Sequence, residues 1–290
     1  FVPSDFVSAG DKTFGDLVTE KMSTYGDEWS GVNFADGQDG LYNPEKAKAE
    51  FAKAKEALQG EGVQFPIHLD LPVDQTSKLN VSKAQSLKQT IEKSLGSENV
   101  VIDINQLSSD DMQNVTLNAA NAAAEDWDIS NGVAWGPDYQ DPSTYLDIFK
   151  TTSSENTKTF MGYDDPNNAA AAQVGLKDYD ALLDSASSET TDLNARYDRY
   201  AQAQAWLEDS SLVIPLTVGN GAAPSISRLT PFTGPYTQVG DKNSSYYFKF
   251  VKPQEKVVTK KEYEQSREKW LKEKKASNEK AQKDLEKHVK

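Results

Sequence analysis

Apolar and polar positions alternate along residues 65–134 in a way that predicts strands and helices in turn. β-branched and alternating runs predict the strands, and apolar side chains at spacings of three and four predict the helices. In chain order, the predicted elements are a strand at 65–73, a helix at 78–95, a strand at 100–104, a helix from Ser108 or Ser109 to about Ala124, and a strand at 127–134. This order, with short links, is typical of an open α/β layer whose sheet is largely parallel.

Further helices are predicted before and after this stretch of the sequence, whereas the first residues of the chain show no clear periodicity of apolar positions. Residues 1–42 are predicted to be rich in loops. Asn43-Pro44 is a favourable helix start, because Asn caps the first turn and Pro fits its first position. The further predicted elements are a helix from Pro44 to Gly60, a short helix after Pro142, helices near 178–187 and 193–208, and a strand at 212–218.

The composition changes twice towards the end of the chain. Residues 219–245 are rich in Gly, Pro, Ser and Thr, and 246–251 are predicted to be a strand. Residues 254–290 hold 12 Lys and Arg against 8 Asp and Glu, and the capping box that begins at Thr259 predicts a long, mostly solvated helix. We therefore expect three parts: an α/β part at 1–218, a segment at 219–253 that could connect to a second lobe, and a charged terminal helix at 254–290.

The overall charge and the residue inventory exclude several classes of function. The net charge is -14, so phosphate backbones would be repelled and nucleic acid is not an expected partner. There is no Cys, and His68 and His288 are the two histidines. Thiolate sites, His-dependent triads and multi-His metal centres are therefore excluded, and we expect no metal or cofactor. His68 is predicted to be an exposed or structural residue on a strand face.

The segment from Trp135 to Tyr139 is the strongest candidate for a binding site. It follows the strand at 127–134, where Gly136-Pro137 forces a turn, and ligands of open α/β sheets bind beyond the carboxyl ends of strands. The Asp138 carboxylate, beside Trp135 and Tyr139, suits a cationic amine. The alternative is a well-packed corner without a ligand. Asp141 is predicted to be structural, because Asp before Pro is a good helix start.

An enzymatic function is the weaker interpretation of the same acidic residues. Asp138 with Asp141, or Glu125 with Asp128, could be posed as the carboxylate pair of a glycoside hydrolase. Acidic residues are so frequent here that such pairs arise by chance, and nothing independent marks one of them as a proton donor. We therefore expect no catalytic residues and no enzyme.

The eight residues from Trp135 to Pro142 carry a resemblance to a known family. Trp-Gly-Pro-Asp-Tyr-Gln-Asp-Pro resembles the Trp-x-x-Asp-Tyr-x-Asp-Pro motif of the extracellular solute-binding proteins, family 5, that bind oligopeptides. The helix start at Asn43-Pro44, the strand at 65–71 and Ile214-Pro215-Leu216 fall in the family's usual order, and the charged terminal helix is similar to the tail of streptococcal members.

This resemblance implies a fold for the chain and a role in ligand binding for individual residues of the motif. The fold is α/β, periplasmic-binding-protein-like type II, with an open mixed or parallel sheet flanked by helices, return strands of the other lobe and a long C-terminal helix. Asp138 would pair with the ligand's α-ammonium group, Trp135 would line the cleft beside Tyr139, and Gly136 would bond the peptide main chain. Some relatives place an Arg just before the Trp, which this sequence lacks.

The resemblance also implies partners and a location. Family members close two lobes on a peptide and deliver it to the permease subunits of an ABC importer, and this chain would be the C-terminal half. We expect a monomer at the extracellular face of the cell membrane, held by an N-terminal lipid anchor that lies outside these residues. The alternative is a cell-surface receptor for peptide signals, or an interaction protein, that uses the same fold without transport.

Overall fold

A computed structural model describes residues 1–36, 40–130, 135–153, 161, 169–217, 226–234, 236 and 248–288. The strands are β1 (Ser8–Ala9), β2 (Lys12–Thr13), β3 (Ile67–Asp74) and β4 (Val100–Leu107). The helices are α1 (Phe14–Met22), α2 (Pro44–Gly60), α3 (Lys78–Leu95), α4 (Ser109–Asn114), α5 (Ser143–Leu146), α6 (Ala169–Gln173), α7 (Leu176–Ser187), α8 (Leu193–Ser210) and α9 (Lys260–His288).

The predicted α/β layer is present as a parallel strand pair covered by a helix. β3 and β4 pair in register from Ile67 opposite Val100 to Asp74 opposite Leu107. Because side chains alternate between the faces of a strand, every second residue enters the core under α3. The fully buried members of this strand-built core are Leu71, Val73, Ala84, Val100 and Ile102. The predictions of β3, α3 and β4 are thus confirmed.

At Ile102, the backbone N–H and C=O groups on the outer edge of β4 are hydrogen-bonded to side chains of α3 rather than to another strand. The Ile102 amide donates to Glu92 Oε1 at 3.0 Å, and Lys88 Nζ donates to the Ile102 carbonyl at 2.5 Å. Lys88 and Glu92 also form an ion pair with each other. An unpaired edge strand is a template for aggregation, so this pair blocks the edge at that point.

The strand predicted at 127–134 lies beside β3 but is not a regular strand over 127–130. The amides of Asp128 and Ile129 both donate to the Asp70 carbonyl, at 3.0 and 2.9 Å. The Asp70 amide donates to the Asp128 side chain at 2.9 Å. A carboxylate therefore replaces the backbone carbonyl that a regular ladder would use. Residues 131–134 lie outside the described residues.

A second core is built almost entirely from helices. It collects side chains from α1, α5, α7 and α8, which are far apart in the sequence. Its fully buried large side chains include Phe14, Leu146, Tyr179, Leu183, Tyr200 and Leu207. We call it the helix-built core. The one-turn helix α5, directly after the Trp135–Pro142 motif, belongs to it through Leu146.

The start of the chain is more ordered than its composition predicted. β1 and β2 form a short antiparallel hairpin, and α1 follows at once. Thr13 and Asp16 form a capping box, in which the Asp16 amide donates to Thr13 Oγ1 and the Thr13 amide to Asp16 Oδ2. The prediction of a loop-rich start was wrong at 14–22, because four apolar side chains of α1 enter the helix-built core.

Six predicted helices are confirmed, and one is much shorter than predicted. The confirmed helices are α2, α3, α5, α7, α8 and α9. The helix predicted to reach Ala124 ends at Asn114. After it, the Thr116 hydroxyl donates to the Met112 carbonyl and the Asn118 amide donates to the Gln113 carbonyl, in place of the regular helical bonds. Only a turn of 3-10 helix, Ala122–Ala124, forms in the alanine run.

Two strands predicted near the end of the chain do not form in the described residues. Residues 212–217 are irregular, and Pro215 removes one backbone donor from them. Residues 248–250 form a turn of 3-10 helix instead of a strand. Residue 218 and residues 246–247 lie outside the described residues.

The chain separates into two compact units. The first comprises residues 1–136 and 141–216, and the second comprises 137–140 and 217–290. In the second unit, Trp270 of α9 is buried and its ring lies 5.4 Å from that of Phe232, which also contacts Tyr263. Leu229 and Pro253 pair there in a short antiparallel bridge. The division at 218 and 253 stays a prediction.

Among the helices described, none is long and apolar enough to span a lipid bilayer.

Candidate functional site

Trp135 is held along one edge while much of its surface stays exposed. Its indole Nε1 donates to the Thr144 carbonyl at 2.7 Å, and the side chain is 45% exposed. Thr144 is buried in α5, so the indole is attached to a rigid part of the first unit. An aromatic ring fixed through its N–H group presents an apolar surface without the entropy cost of ordering it.

Gly136 leaves open space beside the backbone. It is exposed, and a Cβ atom placed there would meet no atom within 4 Å. Packing within the described residues therefore does not require glycine at this position. The backbone groups of Gly136 are accessible to a molecule that approaches closely.

Asp138 and Tyr139 belong to the second unit, whereas Trp135 and Gly136 belong to the first. Asp138 is half-buried, and Tyr139 is 57% exposed. The four predicted site residues are thus neighbours in sequence that fall on two units. Their grouping into one site stays a prediction.

Asp141 is a scaffold residue, as predicted. Its carboxylate receives two hydrogen bonds from Arg196, from Nε at 2.8 Å and from Nη2 at 3.0 Å. Asp141 Oδ1 also accepts from the Ser143 amide at 3.1 Å and so caps the first turn of α5. Burial raises the pKa of Asp141, but the bonds from Arg196 and Ser143 outweigh burial and leave the pKa below its ordinary value.

Arg196 connects three elements of the first unit. Besides the Asp141 carboxylate, its guanidinium Nη1 donates to the carbonyls of Ala186, Ser187 and Glu189 at 3.1–3.2 Å. Two of these carbonyls end α7, where the last turn lacks intrahelical donors. Arg196 itself is on α8. One side chain thus holds α7, α8 and the residue before α5 together.

Asp147 is a second acid next to this ion pair, and its environment is the opposite one. Its Oδ1 atom is buried and has no hydrogen-bond partner in the described part of the chain. Burial raises the pKa of Asp147 to about 6, Lys150 opposes this rise, and the Asp141 carboxylate adds to it. Sequence reasoning did not single out Asp147, although an acid between Leu146 and Ile148-Phe149 is a sign of burial.

The other candidate groups have structural partners. The Asp128 carboxylate accepts a hydrogen bond from the Asp70 amide at 2.9 Å. His68 is exposed, as predicted, and its Nδ1 atom lies 2.7 Å from Asp103 Oδ2. No group of three or more metal-ligating side chains occurs in the described ranges.

Sequence reasoning missed Arg196 and the Thr144 carbonyl as partners of the motif. Both contacts are long-range or depend on the backbone, and Arg196 lies 55 residues from Asp141. The one available signal was Arg196 itself, a charged residue next to Tyr197 and four residues before Tyr200 on a predicted helix.

The family is shown by comparison with known proteins. A family model described as "Bacterial extracellular solute-binding proteins, family 5 Middle" matches residues 5–157, which is more than half of the chain. The matched stretch contains β3, β4 and the complete motif from Trp135 to Pro142. The chain therefore belongs to the bacterial extracellular solute-binding proteins of family 5. Its fold is the periplasmic-binding-protein-like type II α/β fold, and its family consists of binding proteins, not enzymes.

Curated relatives match over the whole chain. It is 66% identical over 290 residues to the oligopeptide-binding protein AmiA of Streptococcus pneumoniae, and 59% identical over 291 residues to the oligopeptide-binding protein SarA of Streptococcus gordonii. Each match covers 100% of this chain and 44% of the relative. The chain thus spans less than half the length of the curated relatives it matches.

A solved structure is similar at lower identity. The substrate-binding domain of an oligopeptide ABC transporter from Bacillus anthracis matches with a TM-score of 0.47 and 23% identity, over 72% of this chain and 34% of that one.

Proposed function

We propose that this chain forms one wall of the ligand site in an extracellular oligopeptide-binding protein that delivers peptides to an ABC importer. The relatives at 66% and 59% identity are both named oligopeptide-binding proteins. The observation that carries the proposal is Trp135, whose indole N–H is fixed to Thr144 while 45% of the side chain stays exposed. An ordered, exposed aromatic residue is typical of a binding surface.

Each residue of the motif has a distinct part in the proposed site. The Asp138 carboxylate pairs with the α-ammonium group of the peptide, since a charge-assisted bond is about twice as strong as a neutral one. Trp135 and Tyr139 cover the adjoining apolar atoms. Gly136, where the structure leaves open space, lets the peptide main chain approach its backbone groups. Specificity for sequence is not expected from contacts of this kind, because every peptide has an α-amino group and a main chain.

The domain division and the cellular location are part of the same proposal. Residues 1–218 would form the second ligand-binding lobe, 219–253 would return to the first lobe, and 254–290 would form the charged terminal helix. The whole protein would act as a monomer at the extracellular face of the membrane, held by an N-terminal lipid anchor. The ABC importer's permease subunits would be its partners.

Calorimetric titration of the whole protein with a defined mixture of short synthetic peptides tests this function. The replacement Asp138→Asn keeps the size of the side chain and removes its charge. We expect it to weaken peptide binding at least about 30-fold, because the ammonium group loses its charged partner. The matched control is Asp126→Asn, which removes an exposed acid from a position 12 residues earlier.

The same peptides with acetylated amino groups complete the design. Acetylation removes the ligand charge, so the wild-type protein should lose affinity to the level of Asp138→Asn, and the variant should be indifferent to acetylation. If the variant binds free peptides as well as the wild type does, Asp138 is not the anchor. If the wild-type protein binds no peptide of the mixture, the transport function itself is wrong, and a receptor for one particular peptide signal becomes the better hypothesis.

A further inference from the structure

The contacts behind the motif form a continuous path from α8 to the exposed ring of Trp135. Arg196 donates two hydrogen bonds to Asp141, and the Asp141 carbonyl and carboxylate accept from the amides of Thr144 and Ser143. The Thr144 carbonyl then accepts from the Trp135 indole. Every member of this path lies in the first unit, and each link is a hydrogen bond of ordinary length.

We propose that Arg196 is a positioning residue for peptide binding, which acts through Asp141 and α5 on the placement of Trp135. This proposal rests on the proposed function and deepens it, since it gives Arg196 a part in the same site through its two hydrogen bonds to Asp141. Asp141 directly follows residues 137–140, the stretch that carries Asp138 and Tyr139. The ion pair with Arg196 therefore also holds the residue at which this stretch ends.

The chemistry of the contacts explains why the residue is an arginine. The planar guanidinium binds both carboxylate oxygens of Asp141 while Nη1 reaches three carbonyls at and just after the end of α7. A lysine ammonium carries the same charge but cannot hold a carboxylate with two parallel bonds and reach three further acceptors. Both side chains of the pair are mostly buried, so solvent does not replace the lost bonds.

Arg199 offers a matched comparison on the same helix. It lies three residues further along α8 and also contacts the end of α7, where it donates to the Ser185 carbonyl and pairs with Glu189. Its hydrogen bond to Ser185 and its ion pair with Glu189 do not involve Asp141. Arg196→Lys and Arg199→Lys therefore disturb the same helix packing, but only the first breaks the path to Trp135.

The experiment combines peptide titration with fluorine NMR on the whole protein labelled with 5-fluorotryptophan. The chain has five Trp residues, and the replacement Trp135→Phe identifies the resonance of Trp135. We expect Arg196→Lys to weaken binding of the synthetic peptide mixture about tenfold and to shift or broaden the Trp135 resonance in the unliganded protein. Arg199→Lys should change neither quantity by more than about twofold.

A second variant protects the test against loss of folding. Asp141→Asn keeps an oxygen for the Ser143 amide but loses the ion pair, and we expect it to reproduce the effects of Arg196→Lys in weaker form. The proposal is overturned if Arg196→Lys leaves both the affinity and the Trp135 resonance unchanged, or if Arg199→Lys changes them equally. If the wild-type protein binds no peptide, the proposed function fails instead, and the resonance alone decides whether Arg196 positions Trp135.

Discussion

The first unit contains two apolar cores that are built in different ways. The strand-built core takes its buried side chains from residues 71–102, a stretch of two strands and the helix between them. The helix-built core brings together residues as distant as Phe14 and Leu207. The strand-built core is aliphatic, whereas the helix-built core contains the buried rings of Phe14, Tyr179 and Tyr200.

The difference matters because, in the described residues, the Trp135 indole is hydrogen-bonded to α5, an element of the helix-built core. α5 contributes Leu146 to the helix-built core, and the Tyr179 hydroxyl donates to the Leu146 carbonyl at 2.8 Å. Thr144, which holds Trp135, is in the same short helix. Changes in the helix-built core should therefore reach Trp135, and changes of equal size in the strand-built core should not.

The largest effect is expected from a cavity in the helix-built core. Leu183→Ala removes a side chain that is 1% exposed, and we expect the free energy of unfolding to fall by about 3 kcal/mol, from lost burial and from the cavity. Urea denaturation followed by circular dichroism measures this loss. The Trp135 fluorine resonance should broaden in the same variant, because α7 supports α5.

The strand-built core provides the control for this comparison. Ile102→Val deletes one methylene group from a fully buried side chain and should cost about 1 kcal/mol. Leu71→Ala, with a loss close to that of Leu183→Ala, separates lowered stability from a specific effect. If Leu71→Ala disturbs the Trp135 resonance as much as Leu183→Ala does, the two cores are not independent supports.

A smaller effect is expected at the outer edge of β4. Glu92→Gln removes the ion pair with Lys88 and weakens the acceptor of the Ile102 amide, and we expect a loss of about 1 kcal/mol. The bonds from Lys88 and the Ile102 amide lower the pKa of Glu92. Its contribution should therefore be present above the ordinary glutamate pKa and be lost as the pH falls through the lowered value.

The control for this edge lies on the neighbouring helix. Glu56 is an exposed acid of α2, and Glu56→Gln should leave the unfolding curve within about 0.5 kcal/mol of wild type. Equal losses in both variants would mean that the Lys88–Glu92 pair has no special part in closing the edge.

The strand-built core could be predicted from the sequence because its signals are local. The β-branched run that begins at Val100 and the helical stripe of α3 report burial within a few residues of each other. The helix-built core could be predicted only as separate helices. α1 was missed although Phe14, Leu17, Val18 and Met22 stand at helical spacing, because a nine-residue helix is marginal by itself and its stability comes from packing against distant residues.

In the candidate site too, the features with local signals could be predicted from the sequence and those with long-range contacts could not. The composition of the motif and its place after a predicted strand could be taken from the sequence. The role of Asp141 followed from local rules for helix starts, and the structure confirms it. Arg196 could not be predicted, since a contact over 55 residues leaves no periodic trace in a single sequence. The predicted third strand is irregular over 127–130, where the side chain of Asp128 takes the place of a backbone acceptor.

The last predicted effect, no larger than that at Glu92, concerns the partly buried carboxylate of Asp147, which follows Leu146 of the helix-built core. Burial raises the pKa of Asp147 to about 6, so the folded protein binds a proton more readily than the unfolded chain does between pH values of about 4 and 6. Stability therefore falls as the pH rises through this window, and the full cost is present above it. Asp147→Asn removes the charge, and we expect it to stabilise the protein at neutral pH by about 1 kcal/mol, a value reduced because the group is partly exposed.

The measurement is the difference in unfolding free energy between Asp147→Asn and the wild type at several pH values from 4 to 7. That difference should grow as the pH rises to about 6 and then stay constant. The control is Asp178→Asn, which replaces an exposed aspartate of α7, a helix that packs in the same core. A difference that is flat across the window would mean that Asp147 has a partner when ionised. The helix-built core would then support α5 without a destabilising charge at Asp147. The ion pair of Arg196 with Asp141 would remain as the charged contact that helps to position Trp135.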